Sequence, residues 1–294
     1  MRATSLQKMT RNLPLPGRLV RLFLHLVTAQ IEYPDRPIVT TSCYGAGKFE
    51  ITDCREYSQQ SIFFLGYYEM RESNLVRRLL RPGDTFIDVG ANLGWFSVLA
   101  AMQVGSGGRV VAFEPSSSMR IRLLRSISLN QVNNVRVEAA ALSDEDGTAF
   151  LTGATTENSG LATIMNGNVF SDNDMPEEVA TIRFDDYWRS HISGQIRLIK
   201  IDVEGAELKV LQGMTELLQS GLCDSLMVEI SDARLRNAGM SAKQTMQLLR
   251  SFGYQLFHIG MFGLKLITDD ENLQFANILA QRTTKDPRHK IEIS

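Results

Sequence analysis

The 294-residue chain is poor in cysteine and histidine, and it lacks both a charge excess and a bilayer-length apolar run. Each shortage closes a door. Cys43, Cys54 and Cys223 are an odd set at spacings that suit neither a zinc site nor a disulfide framework, so reduced thiols are expected. His25, His191, His258 and His289 contain no pair at metal-ligand spacing. With 31 basic and 33 acidic residues the net charge is -2, and the surplus of Lys and Arg that nucleic-acid binding requires is missing. Residues 13–29 are apolar, but Pro14, Pro16, Arg18, Arg21 and His25 interrupt them, so they are not expected to span a membrane. Arg2, Lys8 and Arg11 ahead of that stretch are compatible with contact at an anionic membrane face. A helix packed on the domain is the simpler expectation, and without a secretory cleavage pattern the expected location is cytoplasmic.

What is present is an ordinary globular balance, 44% apolar and 22% charged. From Thr85 onward, strand-like and helix-like stretches alternate, which predicts an α/β fold with a parallel sheet and helices on its faces. Strands are expected at residues 85–89, 109–113, 135–139, 196–201, 226–230, 254–258 and 275–280. The connection over residues 260–270 is too short for a crossover helix, so the final strand is expected to be antiparallel. Helices are expected at residues 93–102, 117–130, 206–218 and after Ser241, where Ser241 and Gln244 form a capping box. Between residues 144 and 185 the rhythm weakens into a small insertion of strands and loops. Three segments result: an N-terminal extension at 1–62, a main domain at 63–282, and a polar tail at 283–294.

The first strand stops in Gly90, Ala91, Asn92, Leu93 and Gly94. Open parallel sheets bind ligands at such strand ends, and a glycine bend lets a ligand approach the backbone. Asn92 tolerates the left-handed angles that a tight turn demands. A nicotinamide dinucleotide is one alternative, but Trp95 stands where its fingerprint has a third glycine, and Asp88 would repel a diphosphate. Asp88 suits instead an ammonium or sulfonium group. Glu114, at the end of the second strand, is placed to accept both hydroxyls of a ribose. Ribose plus a cationic amino acid describes S-adenosylmethionine.

The stretches VGANLGWFSVLAA, VVAFEPS, EAAALSD, DDYW and IKIDVEGAELKVLQG, in this order, resemble the FkbM-type S-adenosylmethionine-dependent methyltransferases. FFLGYYEM upstream and the final ANILA resemble that family's flanks, so the likeness covers residues 63–280. It implies a class I methyltransferase sheet, Rossmann-like, with seven mostly parallel strands and an antiparallel last one. It further implies a cofactor site of Asp88, Gly90, Ala91, Asn92, Gly94, Glu114, Pro115, Leu142, Ser143 and Asp202. The methyl acceptor it implies is a hydroxyl, commonly of a sugar, glycoconjugate or polysaccharide. Other readings are a nonsugar hydroxyl compound or a noncatalytic module that only binds the cofactor.

Transfer to an alcohol requires a base for the hydroxyl proton. Asp202 and Glu204, just beyond the fourth strand, are the candidates, with Glu229 and His258 at equivalent strand ends. Asp202 serves equally well as a helix cap or a holder of the cofactor's amino group, and Glu204 as a partner of Lys200. Tyr67, Tyr68 and Glu69 are placed to fold over the cofactor, and Asn158, Ser159 and Gly160 to line the acceptor pocket. A divalent cation held by Asp202 with Glu229 or Asp232 is conceivable, but no metal is expected.

Overall fold

The computed structural model describes residues 36–43, 45–54, 56–152, 163–165, 176–261, 263–268 and 273–282. The expectations for residues 1–35, for Asn158, Ser159 and Gly160, and for the tail from residue 283 lie outside these. Strands β1 (Ile38–Thr41) and β2 (Lys48–Ile51) pair antiparallel and lead into helices α1 (Tyr57–Leu65) and α2 (Met70–Leu79). Phe49, Ile62, Phe63, Leu75 and Val76 from this layer join the same apolar cluster as Phe86 and Val98 of the main domain. The boundary expected between residues 62 and 63 therefore falls inside α1, whose buried side chains lie on both sides of it. A covering layer carries no βα rhythm, which is why the sequence pattern did not join it to the domain.

The parallel part begins with β3 (Thr85–Val89), α3 (Trp95–Val104), β4 (Arg109–Phe113), α4 (Ser117–Asn130) and β5 (Val135–Glu138). β3 is covered on both faces, so it reads as a continuous apolar run broken only by Asp88. The insertion forms a separate four-stranded sheet from β6 (Ala140–Leu142), β7 (Gly147–Thr152), β8 (Thr163–Met165) and β9 (Glu177–Ile182), in the order β6-β9-β7-β8. Helix α5 (Phe184–His191) returns the chain to β10 (Leu198–Ile201).

The single helix expected over residues 206–218 is two: α6 (Glu207–Gln212) and α7 (Thr215–Ser220). The break has a distant cause. Asp185, fully buried, accepts hydrogen bonds from the backbone N–H groups of Glu216 (3.0 Å) and Leu217 (2.9 Å), capping α7 from outside. At the break itself, a Cβ on Gly213 would sit 1.9 Å from the carbonyl oxygen of Ser143.

The chain closes with β11 (Ser225–Ser231), α8 (Asp232–Asn237), α9 (Ala242–Ser251), β12 (Gln255–Gly260), β13 (Gly263–Leu266) and β14 (Phe275–Gln281). Ser241 caps α9, its Oγ accepting from the Gln244 N–H at 3.3 Å. The main sheet runs β13-β12-β14-β11-β10-β3-β4-β5, with β14 antiparallel to both its neighbours. It thus holds the seven expected strands and an eighth, because Gly263–Leu266 folds back on β12 as the edge strand β13. Phe86 and Val98 lie in the cluster on one face, and Phe184, Leu211 and Met246 in the cluster on the other. Each fully buried phenylalanine of these layers, Phe49, Phe63, Phe86, Phe113 and Phe184 among them, contributes about 1.5–3 kcal/mol by its burial. Among the described residues no helix is long and apolar enough to cross a membrane.

Candidate active site

A cavity of about 540 Å³ opens over the C-terminal ends of β4, β3, β10 and β11 and the N-terminal end of β14, within the size range of small-ligand sites. The loop after β3 forms its floor. The N–H groups of Gly90 and Ala91 both donate to the carbonyl of Phe113, at 3.0 and 3.1 Å, which turns the chain sharply at the strand end. Gly90 has φ +76, and a Cβ there would lie 1.9 Å from the carbonyl oxygen of Asp202. Glycine at 90 is thus demanded by the neighbouring strand, a stronger reason than room for a ligand. Gly94, φ +91, is required because a Cβ would meet Leu123 Cδ1 at 2.6 Å. Asn92 occupies the left-handed region at φ +51, with its Oδ1 accepting from the Leu93 N–H at 2.6 Å.

Glu114 is held by backbone alone: Oε2 accepts from the Asn92 N–H (2.7 Å) and Oε1 from the Ser116 N–H (3.0 Å). Burial pushes its carboxyl up to about 7, even though both amides pull it down. Two amides use only part of the acceptor capacity of a carboxylate, so lone pairs remain for a vicinal diol. Phe113, Pro115, Met119, Ala141 and Leu142 supply apolar wall on this side.

The other side is built from acidic residues and two cations. Lys200, almost fully buried, donates from Nζ to Asp202 Oδ2 at 3.1 Å, lies 3.9 Å from Asp88 Oδ1, and sits 5.0 Å from the centre of the Phe96 ring. Burial alone would lower its pKa, but the carboxylates of Asp202, Asp88 and Glu69 outweigh it and hold the ammonium charged. Arg234 of α8 pairs with Glu204 and, at 3.2 Å, with Glu229 Oε2. Burial, then the Asp202 charge, raises Glu229 and Glu69 well above the usual carboxylate range. Burial and Asp202 likewise lift Glu204 to about 7. Glu204 (φ +56) and Glu69 (φ +42) both occupy left-handed backbone, a conformation that costs side-chain-bearing residues about 1–2 kcal/mol each.

Of the residues expected at the site, Gly90, Asn92, Glu114, Pro115, Leu142, Asp202 and Glu204 line the cavity together. Asp88, Ala91, Gly94 and Ser143 are not among the lining residues. Asp88 is wholly buried, its Oδ2 accepting from Ser97 Oγ at 2.6 Å, so it anchors the strand end to α3 and Lys200. Ser143 donates its N–H to Ile182 and its hydroxyl to Asp144, holding the small sheet. Tyr68, Glu69 and Glu229 are in the wall, whereas Tyr67 and His258 are not. Asp232 is engaged elsewhere, accepting from the Ala242 N–H (3.0 Å) and from Arg236 Nε. Oxygens of Asp202, Glu204 and Glu229 lie within 4.8 Å of one another, close enough for a cation, but Lys200 and Arg234 already compensate them.

Sequence reasoning did not find Glu56, Tyr57, Ser58, Arg234 and Asn277, which also line the cavity. Arg234 follows a strand end by three residues, a signal within reach. Glu56 and Tyr57 gave none, because they arrive by packing of the covering layer.

These residues fit S-adenosylmethionine: a carboxylate with free acceptor capacity, an apolar strip at its side, and an acidic end for a sulfonium. The sheet order and strand-end cavity define the class I methyltransferase fold. Residues 88–256, more than half of the chain, match the Methyltransferase FkbM domain. The chain is 32% identical to 31-O-demethyl-FK506 methyltransferase FkbM of Streptomyces tacrolimicus over 162 residues, which cover 47% of this chain and 62% of that one. It is 29% identical to hexuronic acid methyltransferase AglP of Haloferax volcanii over 181 residues, 60% of this chain and 67% of that one. Among solved structures, methyltransferase FkbM from Methylobacillus flagellatus KT aligns with TM-score 0.41 and 16% identity, over 76% of this chain and 54% of the other. The protein belongs to the FkbM methyltransferase family. The match spans less than two thirds of the Streptomyces relative.

Proposed function

We propose that the protein transfers the methyl group of S-adenosylmethionine to a hydroxyl oxygen of a sugar or glycoconjugate. The observation that carries this reading is one cavity with a backbone-held carboxylate, Glu114, on one side and a cation-held carboxylate, Asp202, on the other. When bound, the cofactor supplies an electrophilic methyl group, and the protein's part is alignment and proton removal. Glu114 grips the ribose hydroxyls. Asp202 takes the acceptor's proton on a carboxylate oxygen, and Lys200, donating to Oδ2 at 3.1 Å, fixes its orientation. Glu204, already paired with Arg234, is less free to act and serves to place that arginine in the wall.

A sugar acceptor is supported by Tyr57 and Phe275, half or more exposed at the cavity, because aromatic faces suit the C–H faces of a pyranose. The Haloferax relative, by its name, acts on a hexuronic acid, which supports a sugar acceptor and not its charge. Calorimetric titration with S-adenosylmethionine, followed by transfer of labelled methyl groups to glycan extracts, tests the proposal. Tight binding without transfer to any hydroxyl compound would favour the noncatalytic module, and no binding would sink both.

A further inference from the structure

We infer that the acceptor is uncharged or cationic, and that the site rejects hydroxyl compounds carrying a carboxylate, sulfate or phosphate beside the reacting oxygen. The inference rests on the proposed methyl transfer and names the substrate class for the same site.

The cavity wall is acidic. Six acidic side chains line the cavity, Glu56, Glu69, Glu114, Asp202, Glu204 and Glu229, and among the described residues Arg234 is the only Lys, Arg or His in its wall. Glu56 is satisfied by Arg122 (2.7 Å), Ser58 and Gln59, and Glu114 by two backbone amides. That leaves Glu69, Asp202, Glu204 and Glu229, facing only Arg234 in the wall and Lys200 behind it. The cofactor brings a sulfonium, an ammonium and a carboxylate, one net positive charge. Burial favours the protonated forms of Glu69 and Glu229, and both cations are already engaged, Lys200 by Asp202 and Asp88 and Arg234 by Glu204 and Glu229, so neither is left free for an anion. Asp202 can take a hydroxyl proton, but an anionic acceptor would meet carboxyl groups and no free cation.

The neighbouring sequence supplies no remedy. Among the described residues between Arg136 and Arg183, the stretch that contains the small sheet, there is no Lys, Arg or His and there are six acidic residues. Burial first, and the Asp202 charge after it, raises the carboxyls of Glu69, Glu204 and Glu229.

Two measurements on the full chain test this with small probes, whatever the acceptor itself is. The first titrates adenosine, 5′-amino-5′-deoxyadenosine and adenosine 5′-carboxylate, close in size and different in charge at the carbon nearest the acidic end. The amine should bind at least tenfold more tightly than adenosine, and the carboxylate at least tenfold more weakly. The second saturates the chain with S-adenosylhomocysteine and compares methyl glucoside, methyl glucosaminide and methyl glucuronide by saturation-transfer NMR. The neutral and amino sugars should give signals and the uronate none. Equal affinities in the first series, or signals no weaker for the uronate in the second, overturn the charge inference and leave methyl transfer standing. Failure of S-adenosylhomocysteine to bind overturns both. Glu229→Gln should shrink the amine-to-carboxylate ratio several-fold, and an unchanged ratio would count against this origin of the selectivity.

Discussion

The two sides of the cavity solve the same problem, a carboxylate kept out of bulk water, by different means. Glu114 is satisfied by the amides of Asn92 and Ser116, groups that the loop and the start of α4 present wherever those segments fold. Asp202, Glu204 and Glu229 depend on Lys200 and Arg234, long side chains that must be brought in and desolvated. Amides cannot titrate or swing away, so the first side is a fixed grip. The second side is adjustable in charge, and it is there that a proton has to move. Fixed dipoles suit recognition of a constant cofactor, and titratable pairs suit chemistry on the variable partner.

The largest expected effect breaks both sides at once. Gly90→Ala places a Cβ against the Asp202 carbonyl, 1.9 Å away, at φ +76. Binding of S-adenosylmethionine should fall by more than a hundredfold, and stability should drop by at least about 1–2 kcal/mol from the left-handed angle alone. Calorimetric affinity and a thermal melt measure the two, and wild-type affinity would remove the loop from the site. Next is Asp202→Asn, for which a lost general base predicts a fall in turnover of about 10²–10⁴. Cofactor affinity should change less than tenfold, and a normal rate would exclude Asp202 as the base.

A pair of variants then separates the sides. Glu114→Gln removes charge-assisted bonds worth about 1.5–3 kcal/mol, so affinities for S-adenosylmethionine and S-adenosylhomocysteine should fall together, about tenfold or more. Glu229→Gln should weaken only the sulfonium form appreciably. Identical patterns in the two variants would show that the sides do not divide the work.

The smallest effect is a pH trend. Glu114 and Glu204 are raised from 4.5 to about 7, so the folded state favours their protonated forms. The stability they contribute is fully present below pH 4.5 and is lost as pH rises through 7. The ligand-free melting temperature should decline from pH 5 to 8. Binding of the cationic cofactor should release protons and tighten over the same interval. A ligand-free melt that rises through that window would contradict the raised carboxyls.

What the sequence made legible was local. β3, β4 and β10 are apolar runs ending in glycine or acidic bends, and strand-end logic alone pointed to Glu114 and Asp202. Asp88 misleads because it adjoins the loop in sequence, whereas its side chain bonds to Ser97 and nears Lys200 on neighbouring elements. The division between α6 and α7 escapes because its causes, Asp185 and Ser143, lie dozens of residues away. Glu56, Tyr57 and Asn277 reach the wall through tertiary packing, on which spacing along the chain is silent.

Trp95, the bulky residue at the head of α3, shows what that packing accomplishes. Its indole N–H donates to Ser73 Oγ at 2.8 Å, while its ring stacks on Phe49 at 5.0 Å and meets the edge of Tyr68 at 6.4 Å. The helix that follows the glycine loop is thereby bolted to residues contributed by β2 and α2, upstream of the stretch matched at 88–256. Anyone excising this catalyst or grafting it into another scaffold would have to carry residues 36–79 with it, or leave the crevice without a roof.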